Sequence, residues 1–234
     1  RVSRDRLKNG ALVDVENLYT ARPAYRERRH FGSRLLLDGE HLYITVGDRG
    51  NRAAAQSLLS HAGKVIRLTQ SGGIPLDNPF VGQANALPEI FSYGHRNPQG
   101  AALHPRTGKL WTVEHGAMGG DEINIPLPGR NYGWPVISYG KEYFLPKAVG
   151  EGTHKEGMRQ PVYYWDPSIA PSGMTFYTGP DFPGWAGDLF IGSLKFGELV
   201  RLELKDGQVI NEERLLSRAF GRIRDVRQGP DGAL

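Results

Sequence analysis

The densest run of polar chemistry in the chain is Ser92-Tyr93-Gly94-His95-Arg96-Asn97-Pro98-Gln99-Gly100. An arginine, an asparagine and a glutamine packed around one proline and two glycines hold several donors rigidly, which suits a planar anion. The same nine residues also read as a polar turn whose arginine pairs with a nearby carboxylate. Next come Glu114-His115-Gly116-Ala117-Met118-Gly119-Gly120-Asp121-Glu122-Ile123-Asn124 and then Gly129-Arg130-Asn131-Tyr132-Gly133-Trp134-Pro135. Glycines let successive carbonyls turn toward one point, and beside Asp121 and Glu122 they offer oxygen ligands for calcium without the spacing of an EF-hand loop. The competing reading leaves Asp121 and Glu122 as solvated loop charges.

These segments need strands to carry them. A recurring unit, a turn followed by leucine, an aromatic and a β-branched or small residue, appears at Asp38–Thr45, Thr107–Thr112 and Gly187–Gly192. Alternating apolar and polar positions around each copy predict half-buried strands, with partner strands at 64–69 and 198–204. Thirty-one glycines and 16 prolines in 234 residues favour short strands joined by turns, so the expectation is an all-β chain, and the repeat fits a β-propeller or a sandwich. Long spacing between the copies predicts large loops at one end of a propeller, the longest being the insertion from Met118 to Met158. Gly229-Pro230-Asp231-Gly232 reads as one more turn, with a strand expected from Leu234. Blades of about 40–50 residues need roughly 240–300 residues to close a six-bladed ring. Residues 1–234 are therefore expected to form about four blades of a single β-propeller domain, incomplete at both ends.

Composition narrows the function classes. The net charge of +4 comes from dispersed basic residues, not the concentrated patch of a nucleic-acid surface. No apolar run approaches the roughly 20 residues of a membrane-spanning helix. With no cysteine, thiolate metal sites and disulfides are excluded, leaving carbonyls, carboxylates and histidines as ligands. His41, His61, His95, His104 and His154 lack partners at zinc-like spacing and read as structural. Trp134 and Trp185 read as core residues, while Trp165 divides evenly between packing and stacking on a ligand.

Taken together and in order, these segments resemble the glucose/sorbosone dehydrogenase family, particularly its soluble aldose sugar dehydrogenase branch. The resemblance extends to His30-Phe31-Gly32-Ser33-Arg34-Leu35, Gly47-Asp48 and Gly73–Phe80, then to Pro167–Gly173, Ser193-Leu194-Lys195 and Gly221–Val226. It implies a six-bladed propeller that oxidises aldoses to lactones, using pyrroloquinoline quinone and calcium. It further implies His30 as general base and Arg96 as the cation beside the reactive quinone carbonyl. Asn97, Gln99, Ser168, Lys195, Arg222 and Arg224 would be the other cofactor contacts. The carbonyls of Gly116 and Ala117 would ligate a cofactor-bound calcium, and the Glu122 side chain with the Tyr132 carbonyl a structural one. A quinone bearing three carboxylates would explain the surplus of cations better than nucleic acid does.

Two departures bear on these roles. Ala117 stands where many relatives have proline, and His115 where glucose-specific members have glutamine, which leaves the sugar open. Arg28, Arg29 and Arg34 are expected to disfavour the His30 imidazolium and keep the ring neutral. The resemblance also implies an external electron acceptor, periplasmic or secreted location, and room for a homodimer. The opening Arg1–Leu7 shows no leader and suggests a piece of a longer sequence. Two other functions compete: a non-enzymatic recognition propeller, against which the complete cationic set argues, and a calcium-dependent hydrolase, for which acidic residues are too few.

Overall fold

The structure, a computed structural model, describes residues 1–144 and 147–234. The chain opens with a hairpin of β1 (Val2–Lys8) and β2 (Ala11–Tyr19), turned by Asn9 and Gly10 at φ 50° and 77°. Two successive left-handed residues are what a tight primed turn requires, and asparagine followed by glycine adopts them at least cost. Three four-stranded antiparallel sheets follow. The first contains β3 (Gly32–Leu37), β4 (His41–Val46), β5 (Lys64–Thr69) and β6 (Ile90–Tyr93). The second contains β7 (Pro98–Leu103), β8 (Leu110–Glu114), β9 (Asp121–Asn124) and β10 (Tyr163–Trp165). The third contains β11 (Pro171–Phe176), β12 (Leu189–Ser193), β13 (Leu199–Lys205) and β14 (Gln208–Leu215).

Each sheet is a simple meander in chain order, and β3, β7 and β11 pack side by side. Three meanders whose first strands converge are blades around a common axis. Among the described residues there is no α-helix and none long and apolar enough to cross a membrane. The β1–β2 hairpin packs on the first blade through Val2 and Tyr19, against Leu42, Ile44 and Ile66. Three blades and this hairpin agree with the expected four units.

The three copies of the repeat are β4, β8 and β12, the second strand of every blade. The expected half-burial fails there: β8 and β12 are buried at every position and β4 at all but His41. Both faces of each strand are covered, β4 and β8 by neighbouring blades or the hairpin and β12 by the second blade on one side and Tyr177, Trp185 and Val226 on the other, so the solvent side that creates a two-residue period is missing. Between the second and third blades, Trp111, Val113 and Ile123 meet Met174, Phe176, Leu189 and Ile191. Tyr43, Val65 and Phe91 meet Ala101 and Leu110 between the first and second. A further correction concerns the segment from Met118 to Met158. It is not one insertion, because Asp121–Asn124 pairs with β8 and β10.

Trp111 is 1% exposed and meets Phe176 edge to face at 5.5 Å. Trp111→Ala should cost about 3–5 kcal/mol, because the void between two blades cannot collapse around it. Denaturant unfolding of the intact protein measures this, and a loss below about 1 kcal/mol would show that the blades do not share this core.

Candidate active site

His30 precedes β3 with φ 52°, a left-handed conformation that turns the chain sharply into the strand. Its Nδ1 lies 2.6 Å from Oδ1 of Asp48, which follows β4. Asp48 is fully buried, and its carboxylate also accepts Gly50 N–H at 2.8 Å and the Trp134 indole N–H at 2.8 Å. Burial alone would raise the Asp48 pKa, but the hydrogen bonds from His30, Gly50 and Trp134 hold it below the usual carboxylate value. The anion beside Nδ1 corrects the expectation of a purely cationic environment for His30. With Nδ1–H directed at Asp48, Nε2 has no partner among the described residues. The ring lines a cleft of about 300 Å³ shared with Arg29, Arg52, Arg96, Trp134, Tyr143 and Phe144.

Arg96 is 5% exposed and ties this cleft to the next blade. Its main-chain N–H donates to Oε2 of Glu114 at 2.6 Å, and its carbonyl accepts Asp48 N–H at 2.8 Å. The guanidinium donates to the His115 carbonyl at 3.1 Å and the Tyr143 hydroxyl at 3.2 Å, and lies 5.1 Å from the Trp134 ring. Glu114 is held by His95 at 2.9 Å, whose other ring nitrogen meets Ser92 at 2.9 Å. Although these three types can form a catalytic triad, Ser92 and His95 are completely buried, so the set is structural. Arg52, which lines the cleft, pairs with Glu142 at 2.5 and 2.8 Å. The loop carrying Arg52 is fastened by Lys64, whose Nζ donates to the carbonyls of Ala54, Ala55 and Ala62 while burial lowers its pKa to about 7.

Beneath Arg96 lies a much smaller enclosure of about 10 Å³, room for roughly one small sphere. Glu114, Gly116, Gly120, Glu122 and Tyr132 line it. Glu114 and Glu122 face each other across β8 and β9, an unfavourable like-charge pairing unless a cation intervenes. Burial, then the Glu114 and Asp121 charges, push Glu122 up to about 8. No donor among the described residues reaches the carbonyls of Gly116 or Tyr132. A Cβ on Gly116 would come within 2.2 Å of the Gly119 and Gly120 carbonyl oxygens, so only glycine permits this convergence. Among the described residues no three His, Asp or Glu side chains form a metal cluster. A hard cation here must therefore take carbonyl oxygens together with Glu122, and the donor set fits calcium. Ala117 lies outside the enclosure, its carbonyl accepting Lys141 N–H at 2.8 Å. Gly116, Glu122 and Tyr132 line the same small space.

The remaining residues of interest lie along the same end of the blades. Asn97 Oδ1 accepts Gly32 N–H at 3.1 Å and Gln99 Nε2 at 3.0 Å, joining the second blade to the His30 turn. Ser168 donates to Asp121 at 2.7 Å, and Asp121 is fully buried instead of a solvated loop charge. Lys195, Arg222 and Arg224 are exposed on the third blade, where the chain after Ser193 and the 221–226 segment run together. Arg34 and Arg227 pair with Asp225, whereas none of those three cations meets a carboxylate among the described residues. None of them lines either cavity. His115 directs Nε2 at the Pro171 carbonyl at 2.5 Å, which favours its structural reading. Trp165 is buried with its indole N–H on Glu212 at 2.7 Å, so its even balance resolves to packing.

Sequence reading missed three contributors. Asp48 is visible only as a turn residue after Gly47, yet that glycine is forced: a Cβ there would lie 2.1 Å from the His30 carbonyl oxygen. Arg52 and Tyr143 leave no signal in spacing.

A sequence model described as Glucose / Sorbosone dehydrogenase matches residues 1–234. Aldose sugar dehydrogenase YliI of Escherichia coli (strain K12) is 45% identical over 227 residues, which are 95% of this chain and 61% of that protein. Quinoprotein glucose dehydrogenase B of Acinetobacter calcoaceticus is 27% identical, over 87% of this chain and 57% of its own. The apo-form of soluble aldose sugar dehydrogenase from Escherichia coli superposes with a TM-score of 0.95 at 42% identity, covering 98% of this chain and 67% of that one. The PQQ-bound aldose sugar dehydrogenase of Streptomyces coelicolor does so with 0.73 at 27% identity, over 94% and 59%. The chain spans about three fifths of the length of the curated relatives it matches.

The lowered Asp48 pKa has a consequence for stability. A carboxylate depressed in the native state contributes stability that is fully present above about pH 4 and is lost as the pH falls through its native value. Asp48→Asn should lower stability at pH 7 and flatten the acid limb. Denaturant midpoints measured from pH 7 to pH 2 check this, and an acid limb unchanged from wild type would contradict the His30–Asp48 contact.

Proposed function

Because the chain belongs to the glucose/sorbosone dehydrogenase family, we propose that it forms the active face of a quinoprotein that oxidises aldose sugars to lactones. The observation that carries this reading is the buried Asp48 beside His30, with Arg96 in the same cleft. Residues 1–234 would be an arc of one propeller domain, closed to six blades in the intact protein.

His30 is the general base. Asp48 accepts Nδ1–H and so keeps the lone pair on Nε2, which takes the proton of the anomeric hydroxyl. As that proton arrives, the Asp48 charge stabilises the imidazolium across 2.6 Å. The indole N–H of Trp134 prevents Asp48 from turning away. Pyrroloquinoline quinone, bound with calcium, supplies the two-electron acceptor for the hydride that leaves the same carbon. Arg96 presents its charge to the cleft on a backbone fastened to both Glu114 and Asp48, so its guanidinium is set before substrate arrives. Tyr143 and Phe144 also line the cleft, both exposed to solvent.

The residues present fit the cofactor chemically. Its carboxylates would be met by Lys195, Arg222 and Arg224, with Asn97 and Gln99 supplying amides. Ser168 would act on that surface through its turn, since its hydroxyl is engaged by Asp121. The carbonyls of Gly116 and Ala117 would hold a cofactor-bound calcium, and the Glu122 side chain with the Tyr132 carbonyl a structural one. The electrons taken from the sugar would then leave to an external acceptor. A periplasmic or secreted location, and a homodimer, belong to the same reading.

General-base catalysis contributes about 10²–10⁴ in rate. His30→Ala in the intact protein should lose turnover by that factor while quinone affinity stays within a few fold. Steady-state kinetics and quinone titration on one preparation measure both, and full turnover in the variant would place the base elsewhere.

A further inference from the structure

Asp121 is completely buried, and among the described residues no cationic side chain pairs with it and its hydrogen bonds come from two loops. Oδ1 accepts the N–H of Gly116 at 2.8 Å. Oδ2 accepts the Ser168 hydroxyl at 2.7 Å and the N–H groups of Ile169 and Ala170 at 2.8 and 3.0 Å. With one donor on Oδ1 and three on Oδ2, hydrogen bonds meet this carboxylate's charge, which separates Asp121 from its neighbour Glu122.

The Gly116 N–H belongs to the same peptide unit as the His115 carbonyl, and in a trans peptide the two point in opposite directions. That carbonyl accepts the Arg96 guanidinium at 3.1 Å. One peptide therefore stands between an anion and a cation, with its dipole aligned to both, an arrangement in which each hydrogen bond polarises the next. The other oxygen curls the 168–170 turn around itself and holds Ala170 at φ 52°, a conformation an alanine does not choose alone.

We propose that Asp121 is a positioning residue for the reaction, orienting Arg96 and the Gly116 carbonyl through the His115–Gly116 peptide with one oxygen and the 168–170 turn with the other. This assignment rests on the proposed reading of the face as a site for calcium and a quinone. Asp121 touches neither sugar nor cofactor. It acts by fixing the backbone of two blades in one register.

The two oxygens can be separated by substitution. In Asp121→Asn the side-chain carbonyl will face the three donors of the 168–170 turn. The amide nitrogen is then left against the Gly116 N–H, where donor meets donor. Ser168→Ala removes one donor from the turn and leaves the Gly116 contact intact. Native-state amide exchange and separate calcium and quinone titrations on the intact protein read both effects. Asp121→Asn should speed exchange at Gly116 at least tenfold with Ile169 and Ala170 within a few fold. Calcium affinity should fall about 10–100-fold, as loss of an outer partner of a metal site usually does. Ser168→Ala should weaken quinone several fold and spare both Gly116 exchange and calcium. Equal loosening of both loops in either variant, or wild-type calcium affinity in Asp121→Asn, would overturn the proposal. The same exchange pattern in the variants, with a wild type that binds neither calcium nor quinone, would overturn the functional reading, and the proposal with it.

Discussion

A carboxylate taken out of water must be surrounded by donors or cations, and the candidate site is organised by four that meet this demand in different ways. Asp48, Glu114 and Asp121 are buried, and each is satisfied by donors from separate segments. Asp48 gathers the His30 turn, its own loop and Trp134, which lies 86 residues away. Glu114 gathers Arg96, His95 and Asn124. Asp121 joins the second blade to the third. Removing any one of them leaves several orphaned donors, so the residues they hold are rigid before a ligand arrives.

Glu122 is the exception that gives the face its chemistry. It has one distant donor, Asn124 at 3.3 Å, and it faces Glu114. Three of the carboxylates are thus met by donors, and the fourth is left with only that long contact among the described residues. The exposed Lys195, Arg222 and Arg224 show the opposite imbalance, cations without carboxylates among the described residues. In the proposed reading, one end of the blades offers both a carboxylate to a hard cation and cations to an anion. A cofactor with several carboxylates, bound together with calcium, would answer both at once.

The all-β fold was legible because each second strand carries the same turn, leucine and aromatic pattern, and β5 has the bounds its sequence predicts. Burial on both faces was not, since it depends on blades stacking, which no local period encodes. Arg96, Asn97 and Gln99 were readable because they fall within one rigid nine-residue run. The His30–Asp48 pair was not, because its members are 18 residues apart on opposite ends of a hairpin. The role of Asp121 was hidden differently. Beside Glu122 it looks like half of an acidic pair, and only the strand β9 sends the two side chains to different surroundings.

The claim that this face oxidises an aldose at its anomeric carbon is tested most directly on the intact protein loaded with calcium and pyrroloquinoline quinone. An aldose is mixed with it anaerobically and the quinone absorbance is followed, once with hydrogen and once with deuterium at that carbon. The account predicts stoichiometric loss of the absorbance, with a primary isotope effect on its rate. An absorbance unchanged by sugar, or lost at the same rate with deuterium in a step shown to be chemistry, would contradict it.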